Sequence, residues 1–221
     1  MWFCFVVRFL RIPVRYRAGM GSDHYFSASP RSNASTRTIT VRLAGRDLEL
    51  STAAGVFSPE HLDQGTSLLL DTVPAPPATG DLLDLGTGWG PIALSLALQS
   101  PEATVWAVDV NERALDLVRR NAARLGLVNV NAVLPADVPD EVSFATIWSN
   151  PPIRVGKQEL HAMLELWLPR LADDATAWLV VAKHLGAESL QRWLGDDLGL
   201  EVGRASNSKG FRVLTAERRA V

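Results

Sequence analysis

The side chains best suited to chemistry stand in the tetrapeptide Asn150-Pro151-Pro152-Ile153. It follows residues 144–149, whose apolar, β-branched and aromatic composition predicts a buried strand. Two prolines fix φ and lack N–H groups, so the loop is stiff and its carbonyls are bare. The amide oxygen of Asn150 and the carbonyl of Pro151 could then accept both N–H bonds of one planar amine. Its lone pair would point at an electrophile, although Asn before Pro is also an ordinary turn signal.

A glycine-rich turn supplies a second candidate site. Gly86-Thr87-Gly88-Trp89-Gly90 follows a predicted strand at 82–85 and precedes a predicted helix at 92–99. Its G-x-G-x-G spacing is one residue tighter than the dinucleotide pattern. Asp84, just before the turn, would repel a pyrophosphate but suits a ligand that carries an ammonium group. Both features favour S-adenosylmethionine over NAD.

Two further carboxylates follow predicted strands. Asp109 ends the strand predicted at 104–108, about twenty residues past the turn, where a carboxylate can accept both ribose hydroxyls. The alternative for Asp109 is a helix-entry role, but Asn111 already supplies a good N-cap. Asp137 follows the strand predicted at 130–134. It could accept the adenine amino group or be a solvated turn acid.

Basic side chains lie beside the Asn-Pro-Pro loop. Arg154 and Lys157 could contact substrate phosphates, although surface Lys and Arg are usually just solvated. Lys183 and His184 end another predicted strand on the same rim. A histidine without a paired nucleophile is more often structural than catalytic.

The order of elements predicts an α/β fold. A β-hairpin is expected at 38–50, with its turn at 44–47, and Asp63 could cap a short helix through Leu70. From residue 82 onward strands and helices alternate, which predicts a mostly parallel sheet with helices on both faces. Later elements are expected as helices at 158–170 and 189–198, a strand at 177–182, and a closing antiparallel hairpin at 201–206 and 211–216.

Three segments are predicted along the chain: a tail at 1–19, an extension at 20–75 and the main domain at 76–221. Residues 2–7 are apolar, but the arginines follow them, whereas a secretory signal has its basic residues first. We therefore expect Met20 to be the biological start, with residues 1–19 an upstream extension of the reading frame or a disordered tail. The alternative is an amphipathic membrane-surface anchor.

Composition limits the classes of partner. A net charge of -2 gives no global attraction to nucleic acid or membrane, so RNA contact needs a local basic patch. A single cysteine, Cys4, excludes an intramolecular disulfide and a multi-cysteine metal site. No apolar run approaches the length of a membrane span. We expect a cytoplasmic protein that needs neither a metal nor a membrane.

Residues 84–90, Asp109 and residues 149–152 together resemble the class I S-adenosylmethionine-dependent methyltransferases. The resemblance is strongest to the small methyltransferase domain of bacterial 16S ribosomal RNA guanine-N2 methyltransferases. Residues 55–58 and 62–66 are similar to that family's segment beside the cofactor, and residues 208–214 are similar to its last hairpin. The similarity extends over roughly residues 50 to 216.

The resemblance implies a Rossmann-like, seven-stranded sheet whose last strand is antiparallel. It places Asp109 at the ribose of S-adenosylmethionine and the Asn-Pro-Pro loop, with Pro151 and Pro152, at the target amine. The residues it implies at the rest of the cofactor are Asp63, Asp84, Gly86, Thr87, Gly88, Gly90 and Asn150. Ile153 stands where the family often has an aromatic residue that stacks on a base, and gives only apolar contact.

The expected function is methyl transfer from S-adenosylmethionine to an exocyclic amine of an RNA base, guanine N2 of 16S ribosomal RNA. The partner is then ribosomal RNA or the small ribosomal subunit. The ribosomal enzymes carry a second amino-terminal domain, whereas this chain has room for a small extension. A rival acceptor is a protein glutamine amide or a small-molecule amine. Other classes are an NAD-dependent oxidoreductase, disfavoured by the glycine spacing and Asp84, and an inactive RNA-assembly module.

Overall fold

The computed structural model describes residues 36–152, 156–208 and 210–218. The predicted tail at 1–19 and the predicted substrate contacts Ile153 and Arg154 lie outside the described residues. The strands are β1 (Thr36–Leu43), β2 (Arg46–Ala53), β3 (Asp81–Leu85), β4 (Thr104–Val108), β5 (Val130–Val133), β6 (Phe144–Ser149), β7 (Leu171–Ala182), β8 (Leu200–Ser208) and β9 (Phe211–Arg218). The helices are α1 (Gln64–Thr72), α2 (Pro91–Gln99), α3 (Glu112–Arg124), α4 (Lys157–Trp167) and α5 (Ala187–Asp196).

The main sheet has seven strands in the order β5-β4-β3-β6-β7-β9-β8. Strands β3 to β7 pair in parallel, and β9 runs antiparallel to both β7 and β8. This confirms the predicted Rossmann-like fold. From β3 the sheet continues through β4 on one side and through β6 on the other. The carboxyl ends of β3 and β6 therefore flank a topological switch point, where open parallel sheets bind ligands.

Helices cover both faces of this sheet because consecutive strand residues point to opposite sides. Leu82 packs in one apolar cluster with α1, α2 and α3, and Leu83 packs in another with α4 and α5. Likewise, Val213 packs in the first of these clusters and Leu214 in the second. In the described ranges no helix has the length and apolar character to cross a membrane.

The amino-terminal hairpin, formed by β1 and β2, packs on the outer side of the helices that cover the sheet. Ala44 and Gly45, with φ of 47° and 75°, form the turn between β1 and β2, which is shorter than the predicted turn at 44–47. Leu43 and Leu50 on the hairpin are buried in one cluster with Trp89 of the glycine turn. The hairpin therefore supports the glycine turn from the side.

Two predicted elements have different limits in the structure. Helix α4 ends at Trp167, and a 3₁₀ turn covers Leu168–Arg170, because Pro169 cannot donate to a helical hydrogen bond. Strand β7 begins at Leu171, well before the predicted start at 177. Asp174 has φ of 60°, and the pairing of β6 with β7 shifts register there, so a bulge interrupts the apolar pattern.

Candidate active site

The glycine turn depends on backbone conformations that side chains disfavour. Gly86, Gly88 and Gly90 have φ of 79°, 57° and 96°. The Gly86 N–H donates to the Val108 carbonyl over 2.9 Å, which fixes the turn to the end of β4. A Cβ on Gly90 would lie 3.0 Å from Cγ2 of Val118. The third glycine therefore lets α3 pack closely against the turn.

Asp84 lies beneath this turn and is fully buried. Its Oδ2 accepts hydrogen bonds from Thr87 Oγ1 at 2.6 Å and from the Ala93 N–H at 2.9 Å. Within the described part of the chain, its buried Oδ1 has no hydrogen-bond partner. Burial raises the pKa of Asp84 to about 7, against the lowering effect of the two hydrogen bonds. One acceptor oxygen is thus left for a further donor.

Asp109 connects the turn to the start of α3. Its Oδ2 accepts from the Gly88 N–H and its Oδ1 from the Asn111 N–H, both at 2.9 Å. The side chain of Asn111 caps α3 by accepting from the Arg113 N–H. Asp109 therefore makes the helix-entry bond weighed as its alternative role, and it also contacts the glycine turn. Burial raises the pKa of Asp109 as well.

Asn150 lies half-buried at the end of β6. Its Nδ2 donates to Asp63 Oδ2 and to Thr66 Oγ1, each at 2.9 Å. The same Asp63 oxygen caps α1, as predicted, through the N–H groups of Gly65 and Thr66. Both N–H bonds of the Asn150 amide are therefore directed at α1, and its Oδ1 is the part that can serve a substrate.

The two loops are neighbours across β3 and β6. A Cβ on Gly86 would lie 3.7 Å from Cδ of Pro152. The Ser149 hydroxyl donates to the Leu85 carbonyl over 2.7 Å, which joins the two strand ends directly. Pro151 is buried and Pro152 is half-buried, so the loop packs against the turn. The structure thus brings the Asn-Pro-Pro loop and the glycine turn to one place.

Other predicted site residues lie further along the rim. Asp137 is exposed at the end of a 3₁₀ turn after β5, two strands away from β3. Lys157 is the exposed first residue of α4. His184 is exposed in the 3₁₀ turn Lys183–Leu185 that follows β7.

Several contacts at the site were not predicted from the sequence. Besides Thr66 and Ser149, Asn121 in α3 is fully buried, and its amide bonds both the N–H and the carbonyl of Ser51 and the carbonyl of Trp89. The sequence feature that could have predicted these contacts is an asparagine on the apolar face of an amphipathic helix, because a buried amide needs hydrogen-bond partners. Phe57, which is 40% exposed, lies beside the turn: a Cβ on Gly88 would be 3.9 Å from its Cβ.

The site fits S-adenosylmethionine. Glycines without a Cβ allow close approach to the turn, and the fully buried Asp84 and half-buried Asp109 beside it supply acidic charge that a sulfonium and an ammonium group can balance. Fold and site together define an S-adenosylmethionine-dependent methyltransferase. Residues 47–215 match the family model of the methyltransferase small domain, and the chain belongs to that family.

Comparisons with known proteins identify relatives of several lengths. Uncharacterized protein YbxB of Bacillus subtilis is 36% identical over 200 residues, which is 89% of this chain and 99% of YbxB. Ribosomal RNA small subunit methyltransferase C of Aeromonas hydrophila is 39% identical over 131 residues, 58% of this chain and 37% of the relative. The chain thus spans a minor part of that longer protein.

A solved structure shares the fold. The 16S rRNA N2 methyltransferase RsmC of T. thermophilus, in complex with AdoMet and guanosine, superposes with a TM-score of 0.74 at 24% identity. The match covers 87% of this chain and 53% of that one.

Proposed function

We propose that this enzyme transfers the methyl group of S-adenosylmethionine to an exocyclic amine of an RNA base, guanine N2 of 16S ribosomal RNA. The observation that carries the proposal is the Asn150 amide, whose N–H groups are taken by Asp63 and Thr66 beside the glycine turn. A planar amine donates two N–H bonds, so it needs acceptors of this kind. The relatives named as ribosomal RNA methyltransferases, from A. hydrophila and T. thermophilus, support ribosomal RNA as the acceptor.

The residues' task in this reaction is positioning, because bound S-adenosylmethionine supplies a methyl group already activated by the sulfonium. Asn150 Oδ1 and the Pro151 carbonyl accept the two N–H bonds of the target amine and turn its lone pair toward the methyl group. Pro152 keeps the loop rigid against Gly86. As the nitrogen gained the methyl group, the carbon–sulfur bond would break, its electron pair would stay on sulfur to leave a neutral thioether, and the nitrogen would release one proton to solvent.

The cofactor is assigned along the rim of the sheet. We place the ribose at Asp109, the adenine amino group at Asp137 and the sulfonium near Asn150. Asp63 has its Oδ2 occupied by α1 and Asn150, which leaves Oδ1 for a cofactor contact. The methionine end is assigned to the glycine turn, namely Asp84, Gly86, Thr87, Gly88 and Gly90.

Substrate contacts are assigned to the segment after Pro152. Arg154 and Lys157 would contact phosphates of the RNA, and Ile153 would give apolar contact to the base. Ribosomal RNA or the small ribosomal subunit is then the partner, which places the enzyme in the cytoplasm. The acidic net charge of -2 favours a second candidate, in which the acceptor is a protein glutamine amide or a small-molecule amine.

The test is methyl transfer from labelled S-adenosylmethionine to ribosomal RNA of cells that lack this gene. Free 16S RNA, small subunits and whole lysate are each offered to the wild-type enzyme and to Asn150→Ala. We expect label in RNA, removed by ribonuclease and recovered as N2-methylguanosine after digestion. Label that survives ribonuclease but not protease would instead identify a protein acceptor. Label confined to small molecules would identify a small-molecule amine as the acceptor. RNA binding without transfer of label would contradict enzymatic function.

A further inference from the structure

The Asn150 amide is oriented by a negatively charged neighbour. A carboxylate only accepts hydrogen bonds, so the Asp63 side chain determines that the NH₂ group of Asn150, and not its oxygen, faces α1. Thr66 Oγ1 takes the second N–H at the same distance of 2.9 Å. The reversed amide would set its oxygen against the carboxylate, which is unfavourable.

The two α1 side chains are themselves fixed. Thr66 is only 3% exposed, so water does not compete for its hydroxyl. Asp63 is held by the Gly65 and Thr66 N–H groups at 2.8 Å and 3.1 Å. A Cβ on Gly65 would lie 2.9 Å from Asp63 Oδ2 and 3.0 Å from Cε1 of Phe211. Glycine at this position therefore allows the start of α1 to pack against β9 while Asp63 keeps its place.

We propose that Asp63 and Thr66 are positioning residues that hold the Asn150 amide with its oxygen toward the target amine, an inference that rests on the proposed function. Capping of α1 does not explain the arrangement. The cap is complete with the two backbone N–H groups, and Thr66 Oγ1 takes no part in it. Without these partners the amide rotates, and an N–H directed at the substrate would oppose the donor N–H of the amine.

Three substitutions separate positioning from packing. Thr66→Val keeps the shape of the side chain and removes its oxygen, and Thr66→Ser keeps the oxygen. Asp63→Asn keeps a good N-cap and removes the charge that orients the amide. Thr72→Val is the matched control, because the Thr72 hydroxyl bonds only the Leu68 carbonyl of its own helix among the contacts described.

Separate measurements of kcat and of the Kd for S-adenosylmethionine distinguish a positioning role from a role in cofactor binding. We expect kcat to fall about tenfold in Thr66→Val and at least about tenfold in Asp63→Asn, since each loses one orienting interaction. Thr66→Ser should restore kcat to within about twofold, Thr72→Val should match wild type, and the Kd for S-adenosylmethionine should not change in Thr66→Val. In the Asn150→Ala background, Thr66→Val should cause no further loss. A full additional loss there would overturn the inference, because the hydroxyl would then act through something other than Asn150.

Nuclear magnetic resonance tests the same contact without activity. The side-chain amide signals of Asn150, assigned by their disappearance in Asn150→Ala, should exchange slowly with water in the wild-type protein and faster in Thr66→Val. Fast exchange in the wild-type protein would overturn the inference even if RNA is methylated. Slow exchange in an enzyme that leaves RNA unmodified would contradict the proposed function alone and support the hydrogen bonds.

Discussion

The site has two halves that are built by different means. The cofactor half is the glycine turn with Asp84 and Asp109, and the amine half is Asn150 with Pro151 and Pro152. The carboxylates that hold the glycine turn are close to it in sequence: Asp84 is three positions from Thr87, and Asp109 is 21 positions from Gly88. Asn150 is held by Thr66 and Asp63, which lie 84 and 87 positions away. The cofactor half is therefore built from consecutive elements, from β3 to the start of α3, with the amino-terminal hairpin packed beside it. The amine half exists only when two distant segments have packed together.

The halves also differ in how they carry charge. Asp84 is fully buried and Asp109 is half-buried, both have raised pKa values, and the charge of Asp109 contributes to the raised pKa of Asp84. Asp63 is half-buried and receives its hydrogen bonds from backbone and amide N–H groups. Desolvation of the Asp84 and Asp109 carboxylates therefore lowers the stability of the folded protein by an amount that depends on pH. A bound cationic ligand offsets this loss.

The largest effect is expected from Asp84→Asn. Burial raises the pKa of Asp84 in the folded protein to about 7 from its ordinary 3.8, so folding favours the protonated form. This group's contribution to stability is therefore highest below the lower value, falls as pH rises between the two, and is constant above the higher one. The variant avoids that loss, and its stability relative to wild type should increase by up to about 4 kcal/mol between about pH 4 and about pH 7.

Denaturant unfolding of both proteins along this pH range measures the difference. If the free energies of unfolding of the two proteins changed in parallel with pH, burial of Asp84 would not destabilise the folded protein. The two halves of the site would then not differ in their electrostatics.

The next effect is expected at Asn150. Asn150→Ala removes one of the two proposed acceptors for the target amine, and kcat should fall about 10²- to 10³-fold, the usual cost of losing one orienting group. The Kd for S-adenosylmethionine should stay within a few-fold of wild type. The control is Asn131→Ala on β5, whose side chain is exposed. Unchanged turnover in Asn150→Ala would remove the amine half from the mechanism.

A smaller effect is expected at the hairpin support of the cofactor half. Asn121→Ala leaves backbone groups of the half-buried Ser51 and the buried Trp89 without their partner. We expect a loss of about 2 kcal/mol in the free energy of unfolding, with a weaker cofactor Kd and little change in kcat. Thermal unfolding and cofactor titration measure both. A selective fall in kcat would mean that the hairpin serves the amine half instead.

The difference between the halves explains what the sequence could predict. The strands before Asp109 and Asn150, the glycine turn and the Asp63 cap follow from local patterns, and the structure contains each of them. The hydrogen bond from Asn150 to Thr66 could not be predicted, because no local pattern encodes a pair 84 positions apart. The early start of β7 was missed because Asp173 and Asp174 at its bulge interrupt the apolar run.

An Asn150 amide that shows only its oxygen to the substrate has a consequence for product release. In the proposed mechanism the unmodified amine offers two hydrogens, one for Asn150 and one for the Pro151 carbonyl. After one round of transfer the nitrogen has exchanged a hydrogen for a carbon, and one of the two acceptors must remain empty. The secondary amine would then be held more weakly than the primary one, so we expect the enzyme to stop after a single methylation.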